Sequence, residues 1–125
     1  MNRLLLLMCC VSMATVAAPL SPAVKAEIDG LLGRLAASGC EFNRNGNWYA
    51  ATEAKSHLSR KFKYLEDRGM VQTTEQFIEM AASGSSTSGK PYLVRCGTSD
   101  PIKSDIWLRS ELRIIRSATP AKSGP

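Results

Sequence analysis

Gly84, Gly89 and Lys90 stand at the spacing of a phosphate-binding loop, G-x-x-x-x-G-K, whose backbone N–H groups would surround a nucleotide phosphate. Pro91 occupies the position of the magnesium-binding Ser or Thr, and the segment follows a helical pattern and precedes a strand pattern, the reverse of that motif's order. Nucleotide binding is set aside. An acylating Ser-x-x-Lys site fails as well, because Thr87 stands three before Lys90 and no Lys-Thr-Gly follows. His57 is the only imidazole, so a Ser-His-acid arrangement would have to recruit it, and no nucleophile signature lies near it. A surface or half-buried structural histidine is the simpler expectation; a small hydrolase or transferase using His57 is the catalytic alternative. The 11 acidic residues include no pair in a recognisable setting for glycan hydrolysis. One histidine, with two cysteines beyond residue 18, falls short of a tetrahedral metal site, so no metal and no cofactor are expected.

The elements that must position these groups begin after a leader. Met1-Asn2-Arg3 gives a positive start, Leu4 to Met13 an apolar run, and Ala14 to Ala18 a small-residue exit, which predicts a signal peptide over 1–18, secretion into an oxidising compartment and cleavage after Ala18. Cys9 and Cys10 would leave with it. The apolar run is about half of the roughly 20 residues a membrane-spanning helix needs, so no stable membrane insertion is expected. Removal of the leader leaves about 107 residues, enough for one domain over 19–117, with a disordered tail over 118–125. The net charge falls from +5 to +4 with the loss of Arg3. Lys55, Arg60, Lys61, Lys63 and Arg68 concentrate that excess on one helix; no nucleic-acid signature accompanies them, and a solvated face is the expectation.

Val24, Ile28, Leu31, Leu32 and Leu35 recur at helical intervals up to Ser38-Gly39. Asn45-Gly46 between two short strands predicts a two-residue hairpin pairing Arg44 with Asn47, Asn43 with Trp48 and Phe42 with Tyr49. Trp48 then lies on the face opposite Phe42, where it is core if helices cover both sides of the sheet; burial is expected. Ala54, Leu58, Phe62 and Leu65 mark a second helix, and Thr73 with Gln76 forms a capping box before a short helix burying Phe77, Ile78 and Ala81. Tyr92 to Cys96 alternates as a third strand, and Trp107, Leu108, Leu112 and Ile115 mark a last helix. The fold class is α+β, in the order α-β-β-α-α-β-α, with a small three-stranded antiparallel sheet and about four helices.

Cys40 is in phase with Phe42 and Cys96 with Val94, so both sulfurs lean to the apolar face and a Cys40–Cys96 disulfide is expected. A redox-active pair would need close Cys-x-x-Cys spacing, which is absent.

Ser88-Gly89-Lys90-Pro91-Tyr92 fits Ser-Gly-x-x-Tyr, a pattern similar to the loop that some periplasmic lysozyme inhibitors, themselves β-barrels, insert into the enzyme's acidic cleft. More broadly, the chain resembles the YfeK-like family of small exported proteins from Gram-negative bacteria, a family of unknown function. The matching stretches are Phe42 with Arg44-Asn45-Gly46, Glu53-Ala54 with His57-Leu58 and Lys61, Thr74 to Ile78, and Ala82-Ser83, Ser85-Ser86 and Ser88 to Tyr92. The resemblance spans roughly Leu31 to Arg95 and implies a periplasmic address without an established activity. Its recurring polar residues are Arg44, Asn45, His57, Ser85, Ser86, Ser88, Lys90 and Tyr92. The expected function is non-catalytic recognition of a periplasmic protein or envelope glycan through Arg44, Asn45, Ser85, Ser86, Ser88, Lys90 and Tyr92.

Overall fold

The computed structural model describes residues 9–12 and 19–118. Most of the expected leader and residues 119–125 of the expected tail lie outside the described residues; Ala118, assigned to the tail, instead closes the last helix. Residues 9–12 carry no regular structure, and Cys9 and Cys10 are exposed free thiols.

Helix α1, Pro22–Ala37, starts where Ser21 accepts a hydrogen bond from the Val24 N–H and Pro22 needs no donor of its own. It buries Ile28, Leu31, Leu32 and Leu35. Strands β1, Glu41–Arg44, and β2, Asn47–Ala50, form the expected hairpin in the expected register. Asn45 and Gly46 both adopt positive φ, 51° and 85°, as a two-residue turn matched to strand twist requires. Helix α2, Ala51–Asp67, follows at once and turns Ala54, Leu58, Phe62 and Leu65 inward. Thr73 and Gln76 cap helix α3, Thr74–Phe77, reciprocally, and the chain continues as a π-helical turn over Ile78–Ala82.

Strand β3, Leu93–Arg95, pairs antiparallel with β1. The expected three-stranded sheet has a fourth member: β4, Ile102–Lys103, pairs with β3 and gives the order β2-β1-β3-β4. Two residues after Pro101 are too few to show a period of two, so only the pairing of Ile102 with Val94 reveals the strand. Helix α4, Ser104–Ala118, begins with the fully buried Ser104, whose hydroxyl donates to the Ala82 carbonyl and whose N–H donates to that of Tyr92.

Helix α1 packs against both α2 and α4, and Phe62 meets Phe77 edge to face at 5.4 Å. Arg116 on α4 bonds Glu27 of α1 and Glu75 of α3, which holds both carboxyls below their ordinary range. Phe42, Tyr49 and Val94 share the sheet face turned to the core, while Asn43, Trp48, Leu93 and Arg95 share the other. Trp48 is therefore not core, contrary to expectation: it is half-buried, with the Arg95 guanidinium 4.0 Å above its ring and Arg95 in turn paired to Glu41.

The Cys40–Cys96 disulfide joins the residue before β1 to the residue after β3, across 56 positions. Loop-closure entropy for that span is about 4 kcal/mol. The double variant Cys40→Ala with Cys96→Ala should lower unfolding free energy by about 2–4 kcal/mol in urea titration; an unchanged midpoint would show that the bridge contributes nothing.

Candidate functional site

Strand β1 sends its even-numbered side chains inward, so Arg44, in phase with Phe42, reaches over the end of the sheet toward α2. There His57 and Lys61 occupy one flank of the Ala54, Leu58, Phe62 stripe, four residues apart and hence on the same side of the helix. Tyr92 enters from the other direction. Its ring lies in the core 5.1 Å from Phe42, at 2% exposure, and its hydroxyl emerges between His57 and Lys61.

The hydrogen bonds assign the tautomer of His57. Arg44 lies 3.0 Å from Nδ1, and a guanidinium can only donate, so Nδ1 carries the lone pair and the proton sits on Nε2. Nε2–H then donates to the Tyr92 oxygen at 3.2 Å. Lys61 Nζ donates to the same oxygen and to the Gly84 carbonyl, both at 3.1 Å. Burial, with Arg44, Lys61 and Arg60 adding repulsion, pushes the His57 pKa down to about 4, so the ring is neutral at neutral pH. Burial, then Arg44, lowers Lys61; burial raises Tyr92 against a smaller opposing effect of Arg44. Among the described residues no carboxylate pairs with Arg44, Arg60 or Lys61.

Three hollows meet at His57. One of about 260 Å³ is bounded by Arg44, Tyr49, Glu53 and Arg60. A second, about 250 Å³, lies under Asn45, Ser86 and Thr87 with Arg44, Lys61 and Tyr92 on its walls. The third, about 350 Å³, runs toward Tyr64 and Met80. Among the described residues no three His, Cys, Asp or Glu side chains group as a metal site would require.

The loop above the pocket is compact. A bridge between Gly84 and Pro91 closes its base, and a Cβ on Gly84 would come within 3.1 Å of the Lys90 carbonyl oxygen, so glycine permits this approach. Ser88 donates to Asn45 Oδ1 at 2.6 Å, tying the loop to the hairpin tip. Of the expected binding residues, Arg44, Asn45, Ser85, Ser86 and Tyr92 share the second hollow, and Ser88 joins them through Asn45. Tyr92 and Ser85 are buried: the Ser85 hydroxyl is engaged within the loop, while the Tyr92 oxygen accepts from Lys61 and His57 at the edge of the hollow. Lys90 is exposed and does not line that hollow, so the phenol and ammonium of Ser88 to Tyr92 are not presented together. Lys61, expected on a solvated face, is half-buried on the pocket wall. The parity that turns Val94 and Cys96 inward already turned Tyr92 inward, and the spacing of His57 and Lys61 already placed them together.

The His57 pKa sets a pH window. In the unfolded chain the ring takes up a proton near its ordinary value of 6.5, whereas in the folded chain it resists down to about 4. The His57 contribution to stability is therefore constant above about pH 7 and falls as pH drops from 6.5 toward 4. Partial solvent exposure of the ring reduces the loss to about 1–2 kcal/mol. His57→Gln, which keeps an acceptor and a donor but cannot titrate, should flatten the stability profile in that window; an unchanged slope in urea titrations would contradict this assignment.

Comparison with known proteins agrees with the geometry in leaving chemistry open. The chain is 42% identical over 69 residues to the uncharacterized protein YfeK of Salmonella typhimurium (strain LT2), covering 54% of this chain and 56% of that relative. The chain thus spans little more than half the length of the curated relative it matches. No solved structure matches it significantly. Residues 22–116, from the start of α1 almost to the end of α4, match the model of the family of unknown function DUF5329, and the chain belongs to that YfeK-like family.

Proposed function

We propose that the protein is an exported, non-catalytic binding module of the periplasm, recognising a protein or envelope component at the surface formed by Arg44, Asn45, Ser86 and Ser88 over the His57 pocket. The observation that carries this reading is a surplus of donors: two cations and a phenol share one hollow with a neutral imidazole and no carboxylate partner. Such a cluster suits an anionic group on the ligand.

The state of His57 supports binding over hydrolysis. A general base needs a free lone pair, and here Nδ1 already accepts from Arg44 while Nε2 donates to Tyr92. The leader pattern of residues 1–18 and a long-range disulfide support export, because such bonds persist in oxidising compartments.

A photoreactive side chain placed at Ser88 should capture a partner in intact cells. The double variant Arg44→Gln with Lys61→Gln should reduce that capture at least about tenfold, equivalent to roughly 1.4 kcal/mol, with an unaltered circular dichroism spectrum. Undiminished capture would remove the pocket from the recognition surface.

A further inference from the structure

Resting on that binding reading, we propose that the hollow between Arg44, Lys61 and Tyr92 receives a phosphate monoester. Three observations specify the group. The first is donor geometry. After its bond to His57, Arg44 keeps four N–H donors, and Lys61 keeps one beyond its bonds to Gly84 and Tyr92. The Tyr92 oxygen accepts from both Lys61 and His57, which leaves its own proton to be donated, and burial keeps that proton in place at neutral pH. The Ser86 hydroxyl sits on the rim.

These donors come from β1, α2, Tyr92 just before β3 and the loop, so they border the hollow from four separate segments. A carboxylate offers two coplanar oxygens. A phosphate monoester offers three in a tetrahedral array and suits the planar fork of Arg44 together with the single ammonium of Lys61.

The second observation is charge. With His57 neutral, Arg44 and Lys61 supply two formal positive charges, and Arg60 lies beyond the ring. A phosphate monoester carries about −1.5 to −2 at neutral pH, close to that sum. The third is size: about 250 Å³ accommodates the phosphoryl group and the first atoms of whatever bears it. Glu53 borders the neighbouring hollow on the far side of His57 and pairs with none of the cations, so it does not fill the position.

His57 supplies a reporter, being the only histidine in the chain. Its imidazole proton resonances should shift when the untagged protein is titrated with inorganic phosphate at low ionic strength. Acetate should need at least about tenfold more for the same shift. Arg44→Gln and Lys61→Gln should each weaken the response about tenfold, and Lys63→Gln, on an exposed face, should leave it unchanged. A parallel arm uses phosphatidylcholine vesicles with and without phosphatidic acid. Cosedimentation only with phosphatidic acid, lost in Lys61→Gln, assigns a lipid headgroup; a phosphate response without vesicle binding assigns a soluble phosphate ester. An acetate response as strong as that to phosphate overturns the phosphate assignment. Silence toward both anions and both vesicles, with Ser88 capture intact, also overturns it while the recognition surface stands; silence together with lost capture removes both.

Discussion

Tyr92 is the residue on which the rest of the molecule turns. A phenol has an apolar body and one polar tip, so it can complete a core and still reach a wet site. Here the ring closes against Phe42, while the hydroxyl forms the floor of the pocket between Lys61 and His57. Its backbone is equally engaged: the N–H donates to Ser83 at the end of the π-helical turn, and the carbonyl accepts from Ser104 at the start of α4. One position thus fixes the sheet, two helices and the base of the Ser-rich loop relative to each other. The wall of the pocket formed by Tyr92 is thus set by core packing, with the loop residues Ser85 to Thr87 closing it from above.

That arrangement opposes stability locally. Among the described residues no carboxylate pairs with Arg44 or Lys61, which face one hollow, and the Arg44 charge disfavours that of Lys61. The lowered pKa of Lys61 and of His57 expresses burial first and this repulsion second. Offsetting terms lie elsewhere: the Cys40–Cys96 bridge, the apolar stripe of α2, and Arg116 clamping α4 to α1 and α3. A polar cluster that weakens the fold is thus held by elements that strengthen it.

Local signals in the sequence determine most elements. Asn45-Gly46 fixes the hairpin register, Thr73 and Gln76 fix the start of α3, and the apolar stripes fix α1, α2 and α4, because each depends on residues within a few positions of one another. The features not legible are those set by distant partners. β4 exists only because Ile102 and Lys103 pair with β3, and the π-helical turn accompanies an Ala82 carbonyl that accepts from Ser104. Trp48 departs from the expected core position because the helices cover one face of the sheet, a fact of packing and not of alternation. The site divides the same way. Its residues were nearly all visible as recurring polar positions, but which point inward depends on β1, α2 and β3 meeting at one corner.

The G-x-x-x-x-G-K spacing shows how a motif and its physics can part. In a phosphate-binding loop the glycines free successive backbone N–H groups to face the anion. In this loop five of those groups are already committed: Ser85 N–H to the Lys90 carbonyl, Thr87 and Ser88 N–H to the Ser85 hydroxyl, Gly89 N–H to the Ser85 carbonyl, and Lys90 N–H to the Ser88 hydroxyl. Gly84 serves a close backbone approach and Gly89 a positive φ of 72°, which together let the loop fold onto itself. Lys90 is left outside the hollow. In the proposed reading an anion under this loop is held chiefly by side chains from β1, α2 and Tyr92, with the loop acting as a rim. Its recognition then depends on the rigidity of the sheet and helix beneath, and Arg44 and Lys61 take the place that backbone amides fill in the motif the spacing imitates.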